Sequence, residues 1–281
     1  MFRLVNLDNR AALEHDGQWY DLATVSGDAA LVDPMVAIAR HAELHAVQAG
    51  LAAHAPGGLI EPSRLGPPVP NAPKVFGIAL NYRAHAAESN MPLPPAPLTF
   101  TKFPNCIAGP EADIELRGDA VDWEVELVVV IGTGGRDIAA ADAWVHVAGL
   151  TLGQDVSDRD VQKAGTPPQF SLGKSFDTYG PIGPALVSVD AFPDPDDIEL
   201  WCDVAGERKQ HSRTNDLIFG VRELIAYLSS ICTLTPGDLI FTGTPSGVGM
   251  ATGRFLQAGE LVESHAVGIG TLRNRCVQAS R

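Results

Sequence analysis

Apolar and polar positions alternate in two different textures along the chain. MFRLVNL and GQWYDLA read as two short strands of a hairpin around an acidic turn. Residues 33–54, DPMVAIARHAELHAVQAGLAAH, are rich in alanine, and their apolar positions recur at helical spacing, which predicts one or two helices. LIEPSRLGPPVPNAPK then carries five prolines. Proline this dense removes backbone donors and breaks regular structure, so a boundary is expected near residues 62–72. The expected organisation is a small N-terminal α/β domain, residues 1–68, followed by a larger domain, residues 69–281.

Beyond the prolines the apolar runs are short. KVFGIAL, DIEL, VDWEVELVVVIG, WVHVAGLTLGQDVS, GPALVSV, DIELWCDVAG, DLIFTGT and ELVESHAVGIGTLRNRCV each read as a strand, separated by Gly- and Pro-rich turns. Helices are expected near residues 82–89 and over 216–230, the second with Thr214 or Asn215 as its N-cap. The fold class predicted is mixed, β-rich α+β, a roll or barrel rather than a doubly wound sheet.

One strand carries a conflict. In VDWEVELVVVIG, residues 121–132, Asp122, Glu124 and Glu126 occupy alternate positions and therefore share one face. Like charges side by side destabilise a sheet. A divalent cation would relieve them, since carboxylate oxygens are hard ligands suited to Mg²⁺, Mn²⁺ or Ca²⁺. The candidate third ligand is Asp155 in GLTLGQDVSDRD. Three carboxylates leave about three of six octahedral positions for water and substrate. A solvated strand face, with Asp155 as a turn residue, fits the same spacing.

Three other stretches carry candidate chemistry. In NYRAHAAES, His85 and Glu88 are helical neighbours, and a carboxylate-oriented His can act as a general base near neutral pH. A surface His–Glu pair is the competing reading. In LGKSFDTYGPIGP, Lys174 sits among turn residues where a cation could meet an anionic substrate, or simply face solvent. In PGDLIFTGTPSGVG, a strand ends in a loop whose bare N–H groups could cradle a carboxylate, or form only a tight turn.

Composition narrows the partners. The 281 residues are 45% hydrophobic and 19% charged, with a net charge of −14. That sign repels phosphate backbones, which argues against nucleic acid, and it also makes an anionic ligand hard to hold without a local cation. No secretory h-region stands at the start, and no apolar stretch approaches the roughly 18–20 residues of a membrane helix. Cys106, Cys202, Cys232 and Cys276 are far apart without a C-x-x-C, as expected of free buried thiols in a reducing cytoplasm. GVGMATG is not a dinucleotide fingerprint, HAELH is not H-E-x-x-H, and neither G-x-S-x-G nor a Walker A motif occurs.

Six pieces stand in one order: KVFGIALNYRAHAAE, PLTFTKFPNCIAGP, DWEVELVVVIG, GLTLGQDVSDRDVQ, LGKSFDTYGPIGP and DLIFTGTPSGVG. In that order and spacing the chain resembles the fumarylacetoacetate hydrolase superfamily, in particular its short, acylpyruvate-hydrolase-like bacterial members. The resemblance implies a β-roll catalytic domain, a homodimer, and one Mg²⁺ or Mn²⁺ per subunit held by Glu124, Glu126 and Asp155. It implies a catalytic His85–Glu88 dyad on a mobile lid continued by SNMPLPPAP, a catalytic Lys174, and substrate contacts from Arg159, Gln162 and Thr244. Asp122 falls outside the metal set and is expected at the rim. The further upstream metal-ligating Asp of the larger fumarylacetoacetases has no counterpart placed here, which points to the smaller enzymes.

The function implied is hydrolysis of the C–C bond of 2,4-dioxo acids through a pyruvate enolate stabilised by the metal and Lys174. The same enolate serves decarboxylation of oxaloacetate and keto–enol or double-bond isomerisation. A water-activating dyad favours hydrolysis. A metal-dependent binding protein is a more distant alternative, because pure binding gives no use for such a pair.

Overall fold

The computed structural model describes residues 1–279. Its centre is the valine-rich strand Val125–Ile131, buried throughout. β-Branched side chains suit a pleated strand covered on both faces. The strand pairs antiparallel with Val147–Gln154 on one side and with Leu239–Phe241 on the other. Val125, Leu127, Val129 and Ile131 pack into one core with Trp123, Ile240 and Leu224 of the helix Val221–Ile231. Val128 and Val130 face a second core with Phe241, Leu186 and the N-terminal residues Leu4, Ile38 and Leu44.

The main sheet has 12 strands, ten of them in one open path. From the centre it runs through Val147–Gln154 and Gly180–Val187 to Arg3–Leu7. In the other direction it runs through Leu239–Phe241 to Val75–Ala79, a parallel pair, and ends at Leu98–Lys102. Glu207–Arg213, Glu199–Val204, Leu261–Ala266, Gly270–Gln278 and Ile114–Leu116 make a second, five-stranded sheet. The two ends of the main path do not pair, so the fold is β-rich α+β with large mixed sheets and no closed barrel among the described residues. No helix among them is long and apolar enough to cross a membrane.

Several elements differ from expectation. The N-terminus holds three strands, Arg3–Leu7, Arg10–His15 and Gln18–Asp21, and the supposed acidic turn supplies the middle one. Ala11 and Leu13 are buried there. The turns are Asp8–Asn9 and Asp16–Gly17, all four residues with positive φ, the backbone that two-residue hairpins demand. Arg3–Leu7 pairs with Gly180–Val187, so the main sheet takes strands from both sides of residue 68.

The charged stretch Glu207–Arg213 is a strand with no apolar alternation, since its one fully buried side chain is Gln210. The helix expected over 216–230 begins after Gly220, whose N–H bonds Glu223 at 2.8 Å. Thr214 cannot cap it: its hydroxyl accepts from Ile198 N–H and donates to the Asp196 carbonyl. The strand expected from Trp144 begins at Val147, after a 3₁₀ turn. Cys106, Cys202 and Cys276 are buried, and Cys232 is half-buried.

Candidate active site

The site forms where the central ladder ends. Asp155 N–H donates to the Glu124 carbonyl at 2.8 Å, one step past the register pair Val125–Gln154. The strand of the alternating acids is broken here: Val121–Asp122 pairs separately with Ser157–Asp158, and Trp123 and Glu124 lie between the pieces. Side-chain amides repair the gap. Gln154 Oε1 accepts from Glu124 N–H at 2.8 Å, and Gln210 Oε1 from Val125 N–H at 2.9 Å, so these buried donors stay paired. Glu124, Glu126 and Asp155 consequently converge, with an oxygen from each within 4.8 Å of the others.

Cations surround two of the three acids. Lys174 Nζ donates to Glu124 Oε2 at 2.7 Å and to Asp155 Oδ2 at 2.6 Å. Lys102 Nζ donates to Asp155 Oδ1 at 2.6 Å and to the carbonyls of Lys174 and Tyr179. Arg159 donates to Asp122 Oδ2 at 2.8 Å, to Glu124 Oε1 at 2.7 Å and to Gln162 Oε1 at 2.9 Å. Burial works against the ionised form of Glu124, yet Lys174 and Arg159 outweigh it and hold its carboxyl at about 2. Burial also opposes the charge on Lys174, but Asp155 and Glu124 keep its ammonium protonated above the usual lysine value.

Glu126 is different. It accepts from Gly243 N–H at 2.7 Å but has no ion-pair partner among the described residues. Burial first, then Asp155 and Glu124, push its carboxyl well above the usual range. A buried carboxylate cluster with one member uncompensated, built entirely of hard oxygens, fits a divalent cation.

The His85–Glu88 pair is assembled on the short helix Arg83–Glu88. His85 Nδ1 lies 3.0 Å from Glu88 Oε2, and Glu88 Oε1 accepts from Gly247 N–H at 3.0 Å. The loop after Leu239–Phe241 thus touches both halves of the site, Gly243 at Glu126 and Gly247 at Glu88. Both glycines have φ near +100°, and a Cβ would lie 2.7 Å from Asn81 Cβ in the first case and 2.0 Å from the Lys209 carbonyl in the second.

A cavity of about 140 Å³ opens among these groups, with Glu124, His85, Arg159, Gln162, Lys174 and Thr244 in its wall. Lys174, read as a cation that could meet an anionic substrate or simply face solvent, is buried, paired and in the cavity wall, so it does not face solvent. One expectation needs correction. Asp122, expected at the rim, is fully buried: it accepts from Gly249 and Met250 N–H as well as from Arg159, so it anchors both. Thr244 lines the cavity, but its hydroxyl is already taken by the Val125 carbonyl and Gln210.

The description Fumarylacetoacetate (FAA) hydrolase C-terminal matches residues 74–277. The chain belongs to the fumarylacetoacetate hydrolase superfamily. It is 45% identical over 214 residues to the bovine protein named oxaloacetate tautomerase FAHD2B, mitochondrial, a match covering 75% of this chain and 68% of that one. Among solved structures, the fumarylacetoacetate hydrolase of Exiguobacterium antarcticum superposes with a TM-score of 0.84 at 32% identity, covering 99% of this chain and all of that one. Maleylpyruvate hydrolase from Sphingobium sp. SYK-6, solved with manganese(II) and pyruvate, gives 0.83 at 26% identity and the same coverage. These superfamily relatives are enzymes, hydrolases and a tautomerase, and the chain is an enzyme of their kind.

Lys102, Gln154 and Gln210 contact the candidate site residues, and sequence reasoning passed over them. Lys102 had a signal. It shares a strand face with Phe100 in LTFTK, where a lysine at the inward end of an alternating run needs buried partners. The glutamines had none, since their work is to fill gaps in a broken ladder.

Proposed function

We propose that the chain is a divalent-metal-dependent hydrolase that cleaves the C–C bond of 2,4-dioxo acids of the acylpyruvate type. The observation that carries this reading is the His85–Glu88 pair, bonded at 3.0 Å and held to Gly247 through Glu88, with His85 in the wall of a cavity that Glu124 and Lys174 also line. Mg²⁺ or Mn²⁺ held by Glu124, Glu126 and Asp155 would supply Lewis-acid stabilisation of negative charge growing on the 2-oxo oxygen. Lys174 adds a hydrogen-bond donor at the same end, and Arg159 fixes the Glu124 carboxylate from the other side.

His85 takes a proton from water, and Glu88 offsets the imidazolium charge. The water oxygen bonds to C4. The C3–C4 bond then breaks, its electron pair passing into the pyruvate enolate, and His85 returns a proton to C3. One acylpyruvate anion and one water give a carboxylate, pyruvate and one proton.

A second reading is favoured by the names of the bovine relatives. In it His85 moves a proton between C3 and the enol oxygen, and no water adds. Product analysis separates the two. Acetylpyruvate incubated with Mn²⁺-loaded protein should yield acetate and pyruvate in equal amounts by NMR. Enol–keto interconversion of oxaloacetate without any cleavage of acetylpyruvate would replace hydrolysis by tautomerisation.

A further inference from the structure

We infer that the site takes 2-oxo acids whose far end is uncharged and apolar, an alkyl or aryl tail rather than a second carboxylate. The inference rests on the reading that a 2-oxo acid head binds at the carboxylate cluster. It names what lies beyond the head.

Two chemically distinct sets of side chains line the cavity. Its charged residues are Glu124, Arg159 and Lys174, joined through Glu124 at the carboxylate cluster, and His85 is also in the wall. Apart from Ser89, Gln162 and Thr244 the rest of the wall is apolar, and its large side chains include Met91, Leu98, Phe100, Phe170 and Met250. Phe100 joins the two sets. Its ring lies 5.0 Å from Lys174 Nζ and packs edge-on with Phe170 at 5.8 Å. Met91, Leu98 and Met250 are 52%, 45% and 36% exposed, so three large apolar side chains gather in the wall of one cavity. Isolated apolar residues on a surface mean little, but a cluster around a concave site marks a ligand's apolar surface.

The cations already have carboxylate partners. Arg159 is held by Asp122, Glu124 and Gln162, and Lys174 by Glu124 and Asp155. No other lysine or arginine lines the cavity among the described residues. A second carboxylate would therefore leave water for a largely apolar wall without a cation of its own, which is strongly unfavourable. A hydrocarbon tail gains from the same wall. The cavity, about 140 Å³, matches the ~150 Å³ of an engineered apolar cavity that admits benzene. It therefore suits a compact head and a short tail that ends among the exposed side chains.

Calorimetric titration of the full, Mn²⁺-loaded chain tests this without relying on turnover. The probes are 2-oxobutanoate, 2-oxopentanoate, 2-oxohexanoate and 2-oxoglutarate, none of which has a 4-oxo group to cleave. Affinity should rise about fourfold per added methylene along the monoacids. 2-Oxopentanoate should bind at least about tenfold more tightly than 2-oxoglutarate of equal length. Met250→Arg, which places a cation in the apolar wall, should reverse that last preference.

Equal affinity for 2-oxopentanoate and 2-oxoglutarate, or no change with chain length, overturns the inference. Cleavage of acetylpyruvate alongside such flat titrations would leave the reaction standing and remove the apolar tail. Steep titrations without cleavage would do the reverse. If no 2-oxo acid binds, the head and the tail fall together.

Discussion

Glu88 bridges His85 and Gly247: one carboxylate oxygen lies 3.0 Å from the His85 ring, and the other accepts from Gly247 N–H at 3.0 Å. The base is therefore oriented by a group that is itself fixed to the loop beside the carboxylate cluster. His85→Ala should lower acylpyruvate cleavage by about 10²–10⁴, the usual scale of a lost general base. Mn²⁺ affinity should stay the same, because His85 is not among the converging carboxylates. Cleavage at the wild-type rate would reduce the pair to a surface contact.

Gly247 should prove nearly as important as the residues it holds. Its φ is +100°, and a Cβ would sit 2.0 Å from the Lys209 carbonyl. Gly247→Ala should cost about 1–3 kcal/mol of strain and displace the N–H that Glu88 needs. We expect kcat to fall while Mn²⁺ binding, measured by calorimetry, is retained. Unchanged kcat at reduced stability would mean that Glu88 holds His85 without the loop.

These contacts show how far the sequence speaks. The alternating acids on a valine-rich strand marked the place where carboxylates converge, because burial and like charge conflict in the residues themselves. The His85–Glu88 spacing was equally local. What stayed hidden depends on residues distant in sequence. Glu207–Arg213 gains its place in the sheet from backbone pairing to Glu199–Val204, and its charged side chains carry no alternation to reveal that. Whether Lys174 met a ligand or solvent stayed open in the sequence, because a turn-rich segment says nothing about the carboxylates 19 and 50 residues away that hold it. The helix start moved to Gly220 because Ile198 and Asp196 claim Thr214.

Glu126 should make the metal-free protein sensitive to pH. Its folded carboxyl is raised well above the ordinary 4.5 by burial and by Asp155 and Glu124. A raised carboxyl binds its proton more tightly folded than unfolded, so stability is present at low pH and is lost as pH rises through the folded value. In EDTA, the melting temperature of the wild type should fall as pH rises above the ordinary carboxylate range relative to Glu126→Gln, which keeps an acceptor for Gly243 but cannot titrate. Mn²⁺ at about 100 times its Kd should add about 2.7 kcal/mol to the wild type and far less to the variant. Parallel melting curves for the two proteins in EDTA would show that Glu126 stays ionised without metal.

The two buried lysines should separate under the same treatment. Lys174 neutralises Glu124 and Asp155, the carboxylates proposed to hold the metal, whereas Lys102 holds one oxygen of Asp155 together with the carbonyls of Lys174 and Tyr179. Lys174→Met leaves two buried carboxylates without that partner, so in EDTA it should cost about 3–5 kcal/mol. A divalent cation supplies positive charge to the same two groups, so saturating Mn²⁺ should recover much of the loss. Lys102→Met should cost a similar amount, but Mn²⁺ should recover little of it, because no metal can donate hydrogen bonds to the stranded carbonyls. Urea unfolding of both variants, with EDTA and with Mn²⁺, measures the contrast. A loss in Lys174→Met that is the same with and without metal would mean that lysine and cation do not share these carboxylates. The metal would then have to bind elsewhere in the chain.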